Sequence, residues 1–205
     1  LAAALMRPAA WWGRLRVEGL EQVPAEGPLL VVPNHDSQWD PILVGLAIKP
    51  RRRLRFLARA SLWRIPLLGP ILYGLGQIPI RRGTGDSGAL EQAVAALAGG
   101  EAICVFPEGG LSWGEHVRAR SGVGRLAEWC PGVQVVLCTV EGTTTYARWP
   151  RRPRVRVAFF RPAAGDPQPG EEASVLATRL LDEIRDRVAP MPAGRRALVG
   201  GPPRV

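Results

Sequence analysis

Short apolar runs alternate with amphipathic stretches along the 205-residue chain. Leu29–Val32 (LLVV) reads as a buried strand, and Leu54–Ala58 as a second. Ala102–Phe106 (AICVF), Val133–Val140 (VQVVLCTV) and Val155–Phe160 read as three more. Between them, Ser87–Gly99 sets Leu90, Val94 and Leu97 on one helical face, with Gly99 and Gly100 as a stop. Gly122–Trp129 reads as a short helix. Glu171–Val188 places Val175, Leu176, Leu180, Leu181 and Ile184 at helical spacing, which predicts an amphipathic helix. Strands separated by helices predict an α/β fold: a single domain with a mixed, largely parallel sheet covered by helices on both faces.

The length suits one domain with a sizeable core. Residues 1–16 read as an N-terminal interfacial segment, in which Trp11 and Trp12 stand close to Arg14 and Arg16. Packing of the two indoles on the body of the domain is the other reading. The opening LAAALM, followed by Arg7 and Pro8, is too short for a signal peptide with the usual charge order. Residues 17–188 form the globular domain. Residues 189–205, rich in proline, glycine and arginine without periodicity, are expected to be a flexible tail.

Hydrophobic residues make up 46% and charged residues 22%, which argues against wholesale disorder. Cys104, Cys130 and Cys138 are odd in number and lack C-x-x-C spacing, so they are expected to be buried, reduced thiols of a cytosolic protein. The net charge of +9 is concentrated: between Asp40 and Asp86 there is no acidic residue and there are nine cations. That stretch is expected to face an anionic partner. Inside it, Ile65–Ile80 (IPLLGPILYGLGQIPI) is a run of 16 uncharged residues. The run is too short to span a bilayer, and Pro66, Pro70 and Pro79 interrupt it. Two readings stand: an apolar segment in the headgroup region between lipid-binding arginines, or a buried helix and strand beside a solvated basic face. Stacking aromatics are not interleaved with the charge, which points away from nucleic acid.

Only two histidines are present. His116 sits among Glu115, Arg118 and Arg120 and reads as a surface residue. His35 directly follows the LLVV strand, where ligands of α/β sheets usually bind. Pro41 predicts a helix start with Asp40 as its N-cap. The irregular turn between them either folds the Asp40 carboxylate onto the imidazole or leaves Asp40 merely as a cap. There is no G-x-S-x-G elbow, no cysteine in a reactive-looking loop and no clustered metal-ligand set, so no protein nucleophile or metal is expected. A His–Asp pair alone suits deprotonation of a substrate hydroxyl that attacks an ester or thioester directly. Phe106-Pro107-Glu108-Gly109-Gly110 at a strand end would suit binding of that hydroxyl or form a simple turn. Gly76–Arg82 delivers arginines suited to phosphate.

Taken in order, these blocks resemble the glycerolipid acyltransferase family typified by bacterial 1-acyl-glycerol-3-phosphate acyltransferase. N-H-x-x-x-x-D matches Asn34, His35 and Asp40. The glycine, apolar strand and terminal arginine match Gly76, Ile78, Ile80 and Arg82. F-P-E-G matches Phe106 to Gly109, with Ser112 in its usual place, and an apolar strand ending near a small residue is met by Val133–Gly142. The resemblance covers about Val17–Gly142 and implies a glycerol-3-phosphate acyltransferase-like fold for residues 17–188.

It also implies that His35 is the general base and Asp40 holds it. Arg82, Glu108, Gly109, Gly76 and Ile78 would bind substrate, and backbone N–H groups near Gly76–Ile80 would face the oxyanion. The acyl donor would be acyl-CoA or acyl-carrier protein as co-substrate, with no further cofactor. The acceptor would be a lysolipid, foremost 1-acyl-sn-glycerol-3-phosphate. The setting would be an anionic membrane surface, peripheral, on the cytoplasmic face of the cell membrane. One departure is plain: where the family continues T-R-S, this chain has Gly110 and Leu111 before Ser112, so the arginine that helps hold an acceptor phosphate is absent. An acceptor without phosphate, or a lipid-binding or scaffolding role for the fold, are the alternatives.

Overall fold

The computed structural model describes residues 8, 10–81, 86–146, 152–168 and 170–189. Their strands are β1 (Arg16–Glu18), β2 (Leu29–Pro33), β3 (Leu54–Arg59), β4 (Ile78–Ile80), β5 (Ala102–Cys104), β6 (Gln134–Glu141) and β7 (Arg156–Phe160). They form one seven-stranded sheet in the order β1-β7-β6-β2-β5-β3-β4. Every pairing is parallel except β6 with β7. The helices among the described residues include α1 (Asp40–Ile48), α2 (Leu68–Gly74), α3 (Ser87–Ala98), α4 (Gly122–Trp129) and α5 (Ala173–Arg187).

The two faces of the sheet follow from the period-two geometry of a strand. In β2, Leu30 and Val32 point to a core completed by Leu90 and Leu97 of α3, Leu126 of α4 and Leu180 of α5. Leu29 and Val31 point to the other, shared with Leu43, Val44 and Ile48 of α1. All five residues of β2 are buried, as expected of a central strand covered on both sides. The expected α/β class, with a largely parallel sheet and helices on both faces, is what the chain adopts.

Helices α4 and α5 approach closely because Gly124 has no side chain: a Cβ there would lie 1.9 Å from the Ala173 carbonyl oxygen. This contact seats the last helix against the sheet. The edge strand β1 is wholly exposed and begins at Arg16, so the expected boundary between residues 16 and 17 cuts through an element of the sheet. It pairs in parallel with β7 and is flanked by the Arg156–Glu18 ion pair. The two N-terminal tryptophans differ in their surroundings. Trp12 donates its Nε1–H to the Tyr146 carbonyl at 3.0 Å and packs on the core, whereas Trp11 is 70% exposed. The expected tail lies, apart from Ala189, outside the described residues.

The basic stretch does not form one field. Arg51 donates to the Val23 carbonyl, Arg52 to the carbonyls of Pro24, Gly27 and Gly100, and Arg55 to that of Gly76. These arginines tie down backbone at the amino-terminal end of the parallel strands. Arg59 and Arg81, exposed, lie at the opposite, carboxyl end, with Arg64 in the 3-10 turn that leaves β3. The uncharged run is not the buried helix that was one of its two readings. In α2 only Gly69 is buried, and Ile65, Leu67, Ile71 and Tyr73 are exposed, Leu67 and Tyr73 each by 82%. Leu67 holds a positive φ of 67°, a strained conformation for a leucine. Among the described residues no helix is long and apolar enough to cross a membrane.

Candidate active site

Because β2, β5 and β6 run parallel, their carboxyl ends bring Asn34–His35, Phe106–Glu108 and Val140–Thr143 to one edge of the sheet. Asn34 joins two of these ends, accepting from the Val140 N–H at 2.7 Å and donating to the Val140 carbonyl at 2.9 Å. Its remaining amide hydrogen reaches Asp36 Oδ2 at 2.8 Å. The chain therefore leaves β2 in a pinned turn.

His35 Nδ1 faces Asp40 Oδ2 at 3.2 Å. The same oxygen accepts the backbone N–H groups of Asp36 and Ser37, both at 2.7 Å. Asp40 is thus not the expected N-cap. It is the first residue of α1, Trp39 stands at the cap, and the carboxylate turns back into the preceding loop. A carboxylate already accepting two N–H groups has a fixed position, so it selects the imidazole tautomer with hydrogen on Nδ1 and leaves the Nε2 lone pair free. Asp40 is fully buried, and burial pushes its carboxyl above the ordinary range against the opposing pull of His35 and the Ser37 N–H. The imidazole stacks on Phe106, with ring centroids 4.0 Å apart, and keeps 10% of its side-chain surface open.

Glu108 Oε1 accepts the His35 backbone N–H at 3.0 Å and an Arg185 Nη2–H at 2.7 Å. The structure places this residue against the backbone of the histidine. Its Oε2 is buried without a hydrogen-bond partner, and burial pushes the carboxyl up despite Arg185. Gly109 turns the chain at φ 68°, where a Cβ would stand 2.8 Å from Arg120 Cγ.

Arg185 and Asp36 are site residues that sequence reasoning missed. Arg185 reaches from α5 to Asp36 Oδ2 at 3.0 Å and Oδ1 at 2.9 Å, and also donates to Ser112 Oγ. Ser112 Oγ in turn lies 2.6 Å from Asp36 Oδ1. Burial alone would raise the Asp36 carboxyl, but Arg185, Ser112 and Asn34 outweigh it and hold it below the usual range. One signal was available: Arg185 follows Ile184 and stands four residues after Leu181, on the apolar stripe of the helix.

Gly76 and Ile78 are not brought to His35. Strand β4 lies three strand positions from β2, on the order of 14 Å at ordinary strand spacing. The Gly76 and Gln77 N–H groups donate to the carbonyls of Tyr73 and Leu72, and Ile78 is buried in the core. Two of the N–H groups expected to face an oxyanion are therefore occupied in closing α2. Arg82 lies outside the described residues. His116 is on the surface as expected, 2.9 Å from Asp182.

A family model described as Acyltransferase matches residues 14–141. The chain belongs to the acyltransferase family. A lyso-ornithine lipid O-acyltransferase of Pseudomonas aeruginosa is 37% identical over 126 residues, 57% of this chain and 46% of that protein. An uncharacterized protein of Mycobacterium tuberculosis is 30% identical over 115 residues, 53% of this chain and 30% of that one. The chain thus spans less than half the length of these relatives. The crystal structure of the 1-acyl-sn-glycerophosphate (LPA) acyltransferase of Thermotoga maritima shares the fold. Its TM-score is 0.68 at 21% identity, covering 95% of this chain and 80% of that one. His35, Asp40 and Glu108 fall within the segment that the family model matches, and Arg185 falls outside it.

Proposed function

We propose that this chain transfers a fatty acyl group from acyl-CoA or acyl-carrier protein to the hydroxyl of a lysolipid, with His35 as general base. The observation that carries the reading is the buried Asp40 carboxylate on Nδ1 of a histidine whose Nε2 is left free. Nε2 takes the hydroxyl proton while the oxygen attacks the thioester carbonyl. The tetrahedral intermediate then collapses, the C–S bond breaks, and the imidazolium returns the proton to the departing thiolate. Asp40 stabilises the imidazolium between the two steps.

A peripheral position on an anionic bilayer, at the cytoplasmic face, fits this chemistry, because acceptor and product are lipids. The exposed Leu67, Ile71 and Tyr73 beside Arg59 and Arg64 support it. The acceptor that the sequence resemblance names is 1-acyl-sn-glycerol-3-phosphate, giving phosphatidate, with Arg82 on the headgroup side. A second reading, an acceptor without phosphate, is favoured by a specific observation. Leu111 stands where an arginine would hold phosphate, and Arg185, which reaches Ser112 of that block, is committed to carboxylates. That leaves Arg118 and Arg120 of the following loop as the guanidiniums that could serve a phosphate. The relationship to a protein named for lyso-ornithine lipid points the same way.

The test is an acceptor panel with labelled acyl-CoA and acyl-carrier protein, comparing lysophosphatidic acid, lyso-ornithine lipid and lysophosphatidylcholine. Transfer to the first supports the phosphate acceptor, and transfer to the second alone supports the other reading. Donor binding without turnover on any acceptor would overturn acyl transfer in favour of a lipid-binding role.

A further inference from the structure

Three buried carboxylates gather around the His35 loop at the carboxyl edge of the sheet: Asp40, Asp36 and Glu108. Asp40 is engaged by His35 itself. The other two face a single cation, Arg185, whose side chain is only 7% exposed. Among the ion pairs of the described residues, this guanidinium alone bridges two buried acids. It comes from the last described helix, 149 positions from Asp36 and outside the segment that the family model covers.

We propose that Arg185 is a positioning residue for acyl transfer, clamping Asp36, Glu108 and Ser112 so that the His35 loop is held in place and its buried charge is balanced. The inference rests on the acyl-transfer reading for its kinetics and on the structure alone for its titration. Both clamped acids are bound to the histidine's own backbone environment. Glu108 Oε1 accepts the His35 N–H, and Asp36 follows His35 in the chain. Ser112, which Arg185 also contacts, donates its N–H to the His35 carbonyl at 2.8 Å. Arg185 thus reaches the histidine's peptide groups on both sides through one intermediary each. It touches no reacting atom.

The electrostatic consequence has a definite sign. Of the charged groups packed around the His35 loop, Asp40 from α1 faces the imidazole and Glu108 from the loop after β5 holds the His35 N–H. Asp36 of the loop and Arg185 from α5 lie one contact further out. One turn before Arg185 on α5, Asp182 is paired with exposed His116. Neutralising Arg185 leaves Asp36 and Glu108 as uncompensated acids around the His35 backbone, which favours the protonated imidazole over the neutral base. Neutralising Asp36 as well restores the balance.

The experiment uses the full chain. The His35 imidazole is followed by NMR titration, with only His116 to distinguish it, and kcat and KM are measured against pH with labelled acyl-CoA on the best acceptor of the panel. In Arg185→Gln the His35 titration and the acid limb of the rate profile are expected to move up by about one pH unit. The fall in kcat is expected to be roughly a hundredfold, with a smaller change in KM. Arg185→Lys stays near the parent, Asp36→Asn moves the titration down, and Asp36→Asn/Arg185→Gln returns it toward the parent. A folded Arg185→Gln with an unmoved titration, or a double variant with no return, overturns the proposal. Should Arg185→Gln not fold, the downward shift in Asp36→Asn decides in its place. A titration that behaves as expected in a protein inactive on every acceptor upholds the clamp and refutes acyl transfer.

Discussion

The backbone N–H of His35 donates to Oε1 of Glu108, 73 residues later, at 3.0 Å. Through that bond the loop leaving β2 and the loop leaving β5 become one unit, and a change in either is felt at the imidazole.

Asp40→Asn tests how the histidine is held. An amide can place only one oxygen where Oδ2 now accepts two backbone N–H groups and faces Nδ1. It supplies no negative charge to stabilise the imidazolium. Acyl transfer is expected to fall roughly a hundredfold or more in kcat with the protein still folded, as read by circular dichroism and steady-state kinetics.

Asp36→Asn tests the buried pair on stability. At pH 7 it leaves Arg185 with one of its two acids, Glu108, and is expected to cost about 3 kcal/mol in urea denaturation. The Asp36 carboxyl is held below its ordinary value, so its contribution is full above the unfolded aspartate pKa of about 3.9 and is lost as pH falls through the depressed folded value. The gap between parent and variant should therefore close on acidification below that point. An unchanged gap at pH 3 would count against the pairing.

Gly124→Ala tests the seating of the helix that carries Arg185. The added methyl meets the Ala173 carbonyl, and a loss of about 1–3 kcal/mol is expected from overpacking, read as a lower Tm. Displacement of α5 should lower kcat in the same variant.

Leu67→Ser combined with Tyr73→Ser tests membrane docking. Burying one such side chain contributes about 1.5–3 kcal/mol, so at least about a tenfold loss of binding to phosphatidylglycerol vesicles is expected in sedimentation. Trp129→Ser, on α4 and 42% exposed, should leave vesicle binding as it was.

The parallel core was legible because its strands are continuous apolar runs: Leu29–Val32 and Val133–Val140 sit within one residue of β2 and β6. β1 was not, because a three-residue exposed edge strand with charges at both ends has neither alternation nor an apolar run. His35 and Glu108 were legible from their places at strand ends, and Asp40 from Pro41, which marks the start of the helix after the same turn. The role of Glu108 as acceptor of the His35 N–H was not, since a hydrogen bond across 73 residues leaves no local pattern. The basic stretch misled for a related reason. Charge counted along the chain takes no account of Arg51, Arg52 and Arg55 bonding to carbonyls at the far end of the sheet.

The central claim is that the His35 imidazole removes the proton from a lipid hydroxyl. The most direct measurement is the initial rate of acyl transfer from labelled acyl-CoA to a lysolipid by His35→Ala, beside the parent and with the fold verified. The account predicts a fall of about 10²–10⁴-fold in kcat with acyl-CoA binding retained. A rate equal to the parent's would contradict it.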